Sequence, residues 1–169
     1  MIGSNQKPFI DSFDVVVRMN GVNRYWPFSE ALANDLGTRL DILYTHQLLI
    51  DRQTEKYGEF VKPEGSKIRL KTDIPHIGML KDLIDAPPTV GMSAIWDLCL
   101  HPIKNLYVTG FTFCLNGPDD HIFIAHHKPI YNENTKHFYP GEALAFRHLY
   151  NMTFLQVGAD LRLSQIARL

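Results

Sequence analysis

Short apolar runs alternate with amphipathic stretches along this chain, and the alternation predicts strands and helices in turn. A β-branched run at residues 15–17 lies between the turn residues of IDSFD and the polar stretch Arg18, Met19, Asn20, Gly21. It reads as a buried strand. Ser29 is placed to cap a helix over residues 30–36, which Gly37 stops. Residues 40–44 read as a second strand and 67–71 as a third, with the polar, Gly- and Pro-containing residues 52–66 as a surface loop between them. Ile77, Leu80, Leu83 and Ile84 have helical spacing over residues 77–84, and Pro87-Pro88 breaks that helix. A helix over residues 90–100 then feeds a strand at 105–109 that closes on Gly110. Residues 111–135 read as irregular, with one apolar patch at 122–125, and helices are expected at 142–151 and 160–167.

This order predicts an α/β fold, a mainly parallel sheet flanked by helices, with residues 15–17, 40–44 and 105–109 sharing one sheet. No linker composition divides the chain, so residues 1–169 are expected to form a single domain. Residues 1–3 run straight into a turn, so any first strand is expected to be truncated to a stub. The 45% hydrophobic and 21% charged composition is ordinary for a globular protein, and 169 residues can bury a core. A formal charge of -1 makes no electrostatic case for nucleic acid or an anionic membrane. No apolar run approaches the ~20 residues of a membrane-spanning helix, and no signal-peptide pattern is present. Cys99 and Cys114 are the only cysteines, which argues against a disulfide framework and makes a cytoplasmic location the default expectation.

Candidate chemistry concentrates in three segments. In the first, Gly3-Ser4-Asn5 and Arg18-Met19-Asn20 can bring backbone N–H groups and asparagine amides to a phosphate, ribose or base. The same residues also suit a plain strand followed by a surface Arg and Asn. They match neither a dinucleotide fingerprint nor a P-loop. In the second segment, residues 86–99, Thr89 stands at the N-cap of a helix with Gly91 in its first turn, a natural anion site or an ordinary capped core helix. In the third, residues 136–146, His137 and Glu142 flank Pro140-Gly141, which places the histidine on a loop and the glutamate in the next helix's first turn. Histidine titrates where it can remove a proton at neutral pH, and Glu142 can orient it or favour the helix start. A solvated loop histidine is the plain alternative. His121, His126, His127 and His137 fit no zinc spacing.

Together these segments resemble the animal-type sialyltransferases of glycosyltransferase family 29. IGSNQKPFIDSFDVVVRMNG is similar to their large sialyl motif, and DLGTRLDIL to that motif's far end. PPTVGMSAIWDLCLHPIKNLYVTGF resembles the small motif, and HFYPGE fits the His-x-x-x-x-Glu of the very small motif. The bacterial family 42 sialyltransferases share a similar nucleotide-binding plan and are the alternative kinship. The chain departs from the family 29 pattern in places. Ser4 and Asn5 are exchanged, Thr89-Val90 replaces Ser-Thr, the large-motif cysteine is missing, and His126-His127 is the nearest stand-in for the third motif.

The resemblance implies a Rossmann-like, sialyltransferase-type GT-A variant fold and sugar transfer from a CMP-activated donor to a glycan hydroxyl, with inversion. The donor sugar would be sialic acid or a related keto-deoxy sugar such as Kdo. Ser4, Asn5, Asn20, Thr89, Gly91, Gly110 and His127 would hold the CMP-sugar; His137 would act as general base, supported by Glu142. A departing nucleoside monophosphate needs hydrogen bonds and a helix start rather than a metal clamp, and the chain has no Asp-x-Asp, so no metal or other cofactor is expected. A CMP-sugar hydrolase and a non-catalytic nucleotide-binding module are the alternatives.

Overall fold

A computed structural model describes residues 5–20, 25–111, 137–152, 156–160, 164–165 and 167. The chain divides after Ile74 into two compact units, Met1–Ile74 and Pro75–Leu169. Both carry helices and parallel strands, so the α/β expectation holds.

The first unit runs α1 (Lys7–Asp11), β1 (Val17–Met19), α2 (Glu30–Leu36), β2 (Ile42–Thr45), α3 (Gln47–Tyr57) and β3 (Lys67–Leu70). A 3-10 turn, Lys71–Asp73, follows. Its three strands form a parallel sheet in the order β1-β2-β3, with Val17 opposite Ile42 and Ile42 opposite Lys67. The central strand is the buried one: Leu43, Tyr44 and Thr45 are all enclosed. Leu40 and Leu43 pack with Trp26, Phe28 and Phe60. Ser29 caps α2 by accepting from the Leu32 amide, and Gly37 ends it, as the sequence predicts.

Two expectations for this unit are corrected. The apolar triplet at 15–17 is not itself the strand, which begins at Val17. Val15 is 52% exposed, and the Val16 amide donates to the Asp41 carboxylate at 2.7 Å instead of to a neighbouring strand. The expected loop at 52–66 is helical as far as Tyr57. That helix has little apolar stripe to read: most of its residues are exposed, and its buried residue is the polar Gln53. His46 caps its start, and the left-handed Gly58 (φ 81°) caps its end by donating to the Thr54 carbonyl. Its residues are largely good helix formers, which suffices where packing does not decide.

The second unit runs α4 (Ile77–Ile84), α5 (Val90–Cys99), β4 (Asn105–Val108), α6 (Tyr139–Tyr150) and β5 (Gln156–Ala159). Its core joins Leu80 and Ile84 of α4, Met92 and Ile95 of α5, Val108 of β4, and Phe146 and Leu149 of α6. The helical spacing read at 77–84 is observed with the same bounds. The expectation of one sheet is corrected here. β4 pairs in parallel with β5, Asn105 opposite Gln156, in a separate two-stranded sheet. The strand at 156–159 was not anticipated, because Gln156-Val157-Gly158-Ala159 has almost no alternation or branched apolar content to announce it.

The helix expected at 142–151 starts earlier, at Tyr139, so Pro140-Gly141 lies inside its first turn rather than on a loop. Proline costs nothing there, since its missing N–H would lack an intrahelical acceptor anyway. Gly141 is required by closeness. A Cβ at that position would stand 2.6 Å from the Ile84 carbonyl oxygen, so α6 and the end of α4 meet backbone to backbone. Residues 111–135 lie outside the described residues except for Phe111, and of the helix expected at 160–167 only Ser164, Gln165 and Ala167 are described as helical.

Candidate functional site

The second unit brings two of the sequence segments together at one point. Pro87-Pro88 ends the connection from α4, and Thr89 then takes an extended conformation (φ -66°, ψ 165°) as N-cap of α5. Its hydroxyl accepts from the Met92 amide at 3.1 Å. Glu142, in the first turn of α6 and only 1% exposed, reaches across to the same residue. One carboxylate oxygen accepts a short hydrogen bond from the Thr89 amide, and the other accepts from the Thr89 hydroxyl at 2.9 Å. A single carboxylate thereby fixes the start of α5 while standing at the positive end of α6. Both placements favour negative charge.

His137 lies just before Phe138, the N-cap of α6, and outside the helix as expected. Its Nδ1 is 2.7 Å from the Pro87 carbonyl oxygen. A carbonyl can only accept, so Nδ1 carries the proton and Nε2 of the neutral ring carries the lone pair. The group that orients the imidazole is therefore the Pro87 carbonyl, whereas Glu142 holds Thr89. Pro87 has no side-chain signal for this role, since it acts through its backbone, and sequence reasoning had no means of finding it.

The remaining sequence candidates are distributed as follows. Gly91 is buried in the first turn of α5. The Thr89 hydroxyl donates to Glu142, so it retains only acceptor capacity for anything else. Gly110, at φ 79° beyond β4, donates its amide at 3.0 Å to Asp160, which also accepts from the Thr109 hydroxyl at 2.9 Å. Asp160 thus ties the ends of β4 and β5 together, a second residue the sequence reading did not single out for a site. The burial of Tyr107 itself, and to a lesser extent the charge of nearby Asp160, raise the Tyr107 pKa. Ser4 and His127 lie outside the described residues, as do His121 and His126.

Asn5 and Asn20 belong to the first unit. Both have left-handed backbones, φ 50° and 57°, which asparagine tolerates better than most residues. The Asn5 backbone amide donates to the buried Asp35 carboxylate at 3.0 Å, and Asn20 directly follows β1 at the carboxyl edge of the sheet. Their charged neighbours in the motif serve the fold. Asp11 accepts from the Thr38 amide at 2.9 Å, the Thr38 hydroxyl at 2.8 Å and the Lys7 ammonium at 2.8 Å. Burial pushes its pKa upward, but those bonds and the Lys7 charge outweigh it and hold the carboxyl at about 2. Arg18 donates to the carbonyls of Arg39 (2.9 Å) and Leu36 and lies over the Phe28 ring. Burial lowers its pKa to about 10 against the pull of Asp11 and Asp41, so it stays charged at neutral pH.

Cys99 is a buried free thiol whose pKa burial pushes up to about 11, which makes it inert rather than nucleophilic. Among the described residues, no helix is long and apolar enough to cross a membrane. Compared with protein-family models, curated proteins and solved structures, the chain matches none.

Proposed function

We propose that the chain is an inverting glycosyltransferase of the sialyltransferase type, with a GT-A variant fold, taking sialic acid or a related keto-deoxy sugar from a CMP-linked donor to a glycan hydroxyl. One observation carries the reading. The segment resembling the small motif and the segment resembling the very small motif meet through Thr89 and Glu142, and His137 is held beside them by the Pro87 carbonyl.

In this reading His137 is the general base. Its Nδ1–H is bonded to Pro87, so Nε2 takes the proton from the acceptor hydroxyl as that oxygen attacks the anomeric carbon. The bond from the anomeric carbon to the phosphate oxygen breaks, and CMP departs with the electron pair. The start of α5, with Gly91 in its first turn, favours the negative charge that develops on the leaving phosphate. Glu142 is a positioning residue that keeps this helix start in place.

The test is incubation with CMP-sialic acid and with CMP-Kdo, each with and without a glycan acceptor library. Acceptor-dependent CMP release supports transfer. Release without acceptor supports the hydrolase reading, and binding without release supports a nucleotide-binding module. On an accepted substrate, His137→Ala should lose ~10²–10⁴-fold in turnover with CMP affinity little changed, as expected for loss of a general base. Unchanged turnover would remove His137 from the mechanism.

A further inference from the structure

The amino end of α3 is capped in an unusual way. Its N-cap residue is His46, at φ -123° and ψ 151°, and the ring Nδ1 accepts from the Leu49 amide at 3.2 Å. The usual caps, Ser, Thr, Asn and Asp, accept through an oxygen that keeps its lone pairs at any ordinary pH. An imidazole nitrogen accepts only while it is unprotonated. The Leu49 amide is shared with the His46 carbonyl oxygen at 3.0 Å, and the Ile50 amide reaches that same oxygen at 3.4 Å. Protonation of the ring would therefore place an N–H against the Leu49 N–H and add a positive charge at the positive end of the helix.

Among the described residues, the charges that shift the ring's titration are both positive. Lys71, from the 3-10 turn after β3, and Arg52, one turn into α3, are the charged groups whose fields act on the ring. Both are cations. Asp51, the neighbouring carboxylate on α3, accepts from the Gln47 side chain at 2.7 Å. Partial burial, then Lys71, then Arg52 lower the His46 pKa below its ordinary value. The residue just before it, Thr45, closes β2, is fully enclosed, and has a hydroxyl without a hydrogen-bond partner among the described residues. Thr45 stands opposite Leu70, the last residue of β3. The cap thus sits at the carboxyl edge of the three-stranded sheet.

We propose that His46 is a pH-sensitive latch on α3, closed when its imidazole is neutral and caps Leu49, and released when the ring is protonated. The direction follows from linkage. The ring is harder to protonate in the closed state than in the open one, so the latch is fully closed above about pH 6.5, the ordinary value for histidine. Below that it weakens, by up to about tenfold in the opening equilibrium per pH unit, until the lowered folded-state pKa is passed.

Amide hydrogen exchange and histidine ring NMR on the whole chain, between pH 7.5 and 5, test it. After correction for intrinsic exchange, protection of Leu49 and Ile50 should fall in the parent as His46 titrates, while the middle of α5 stays protected. In His46→Asn, whose side-chain oxygen caps at any pH in the range, protection of the same amides should be flat. PH-independent protection in the parent, or an equal loss in His46→Asn, would overturn the proposal. Should that variant not fold, the parent alone decides. The Leu49 amide must shift with the same midpoint as the His46 ring, below the ordinary histidine value, and a different midpoint rejects the latch.

Discussion

The two units anchor their charged side chains in opposite ways. In the first unit the charges are partly exposed: Asp11 gathers Thr38, Arg39 and Lys7, and Arg18, on β1, bonds to two backbone carbonyls. In the second unit a single carboxylate, 1% exposed, joins the starts of two helices. Exposed networks are individually weak because water can replace any member. A buried carboxylate has no such substitute, so its partners and its charge stand or fall together. A charged side chain can thus be a tolerant tether in one place and a brittle joint in another.

The largest effect should come from the brittle joint. Glu142→Ala leaves the Thr89 amide and hydroxyl without their acceptor, which should cost about 3 kcal/mol or more in urea unfolding. Glu142→Gln should recover part of that loss, since an amide oxygen still accepts. A loss under about 1 kcal/mol in Glu142→Ala would erase the contrast between the two regions.

Next comes the close approach beneath that joint. Gly141→Ala puts a methyl 2.6 Å from the Ile84 carbonyl oxygen, where backbone would have to move. Destabilisation of about 1–3 kcal/mol is expected, as for overpacking elsewhere. Gly65, whose Cβ position is open but whose φ is 77°, serves as the control: Gly65→Ala should show only the smaller left-handed backbone cost of about 1 kcal/mol.

The smallest effect should be Asp11→Asn, and it should depend on pH. The folded carboxyl is held at about 2, below its ordinary 3.8, so its stabilising contribution is present above about pH 4 and is lost as pH falls toward 2. The parent and Asp11→Asn should therefore differ at pH 7, by about 1 kcal/mol after allowance for solvent screening, and converge near pH 2 in thermal melts. A difference that persists at pH 2 would assign the effect to something other than the carboxylate's charge.

Local signals carried much of this structure. The spacing at 77–84, the Ser29 and Thr89 caps and the Gly37 stop each depend on residues a few positions apart, and each is observed. What escaped was decided by distant partners or by backbone alone. Val15 faces solvent because the next residue bonds to Asp41, and β5 is a strand only because β4 lies beside it. In the candidate site, Thr89, His137 and Glu142 were legible by residue type and motif. The Pro87 carbonyl that orients His137 and the Asp160 carboxylate that takes the Gly110 amide were not. The first has no side-chain signature, and the second depends on strand pairing no local pattern announces.

The bond from Thr89 to Glu142 spans 53 residues, and the bond from Thr109 to Asp160 spans 51. Bonds that organise the first unit, such as Lys7 to Thr38, span 31. Read as a sequence of events on a ribosome, this gives the two units different schedules. The first unit's strands have all been synthesised by Leu70. The second cannot close its helix joint until Glu142 emerges, nor pair its strands until Ala159 does. Parallel pairing across so long an interval is intrinsically slow to form, because the intervening chain must be ordered before the contact is made. During synthesis, α4 and α5 therefore wait with Leu80, Ile84, Met92 and Ile95 uncovered until α6 arrives. The stretch of chain left open to premature association is the one whose joint, once closed, is almost fully enclosed.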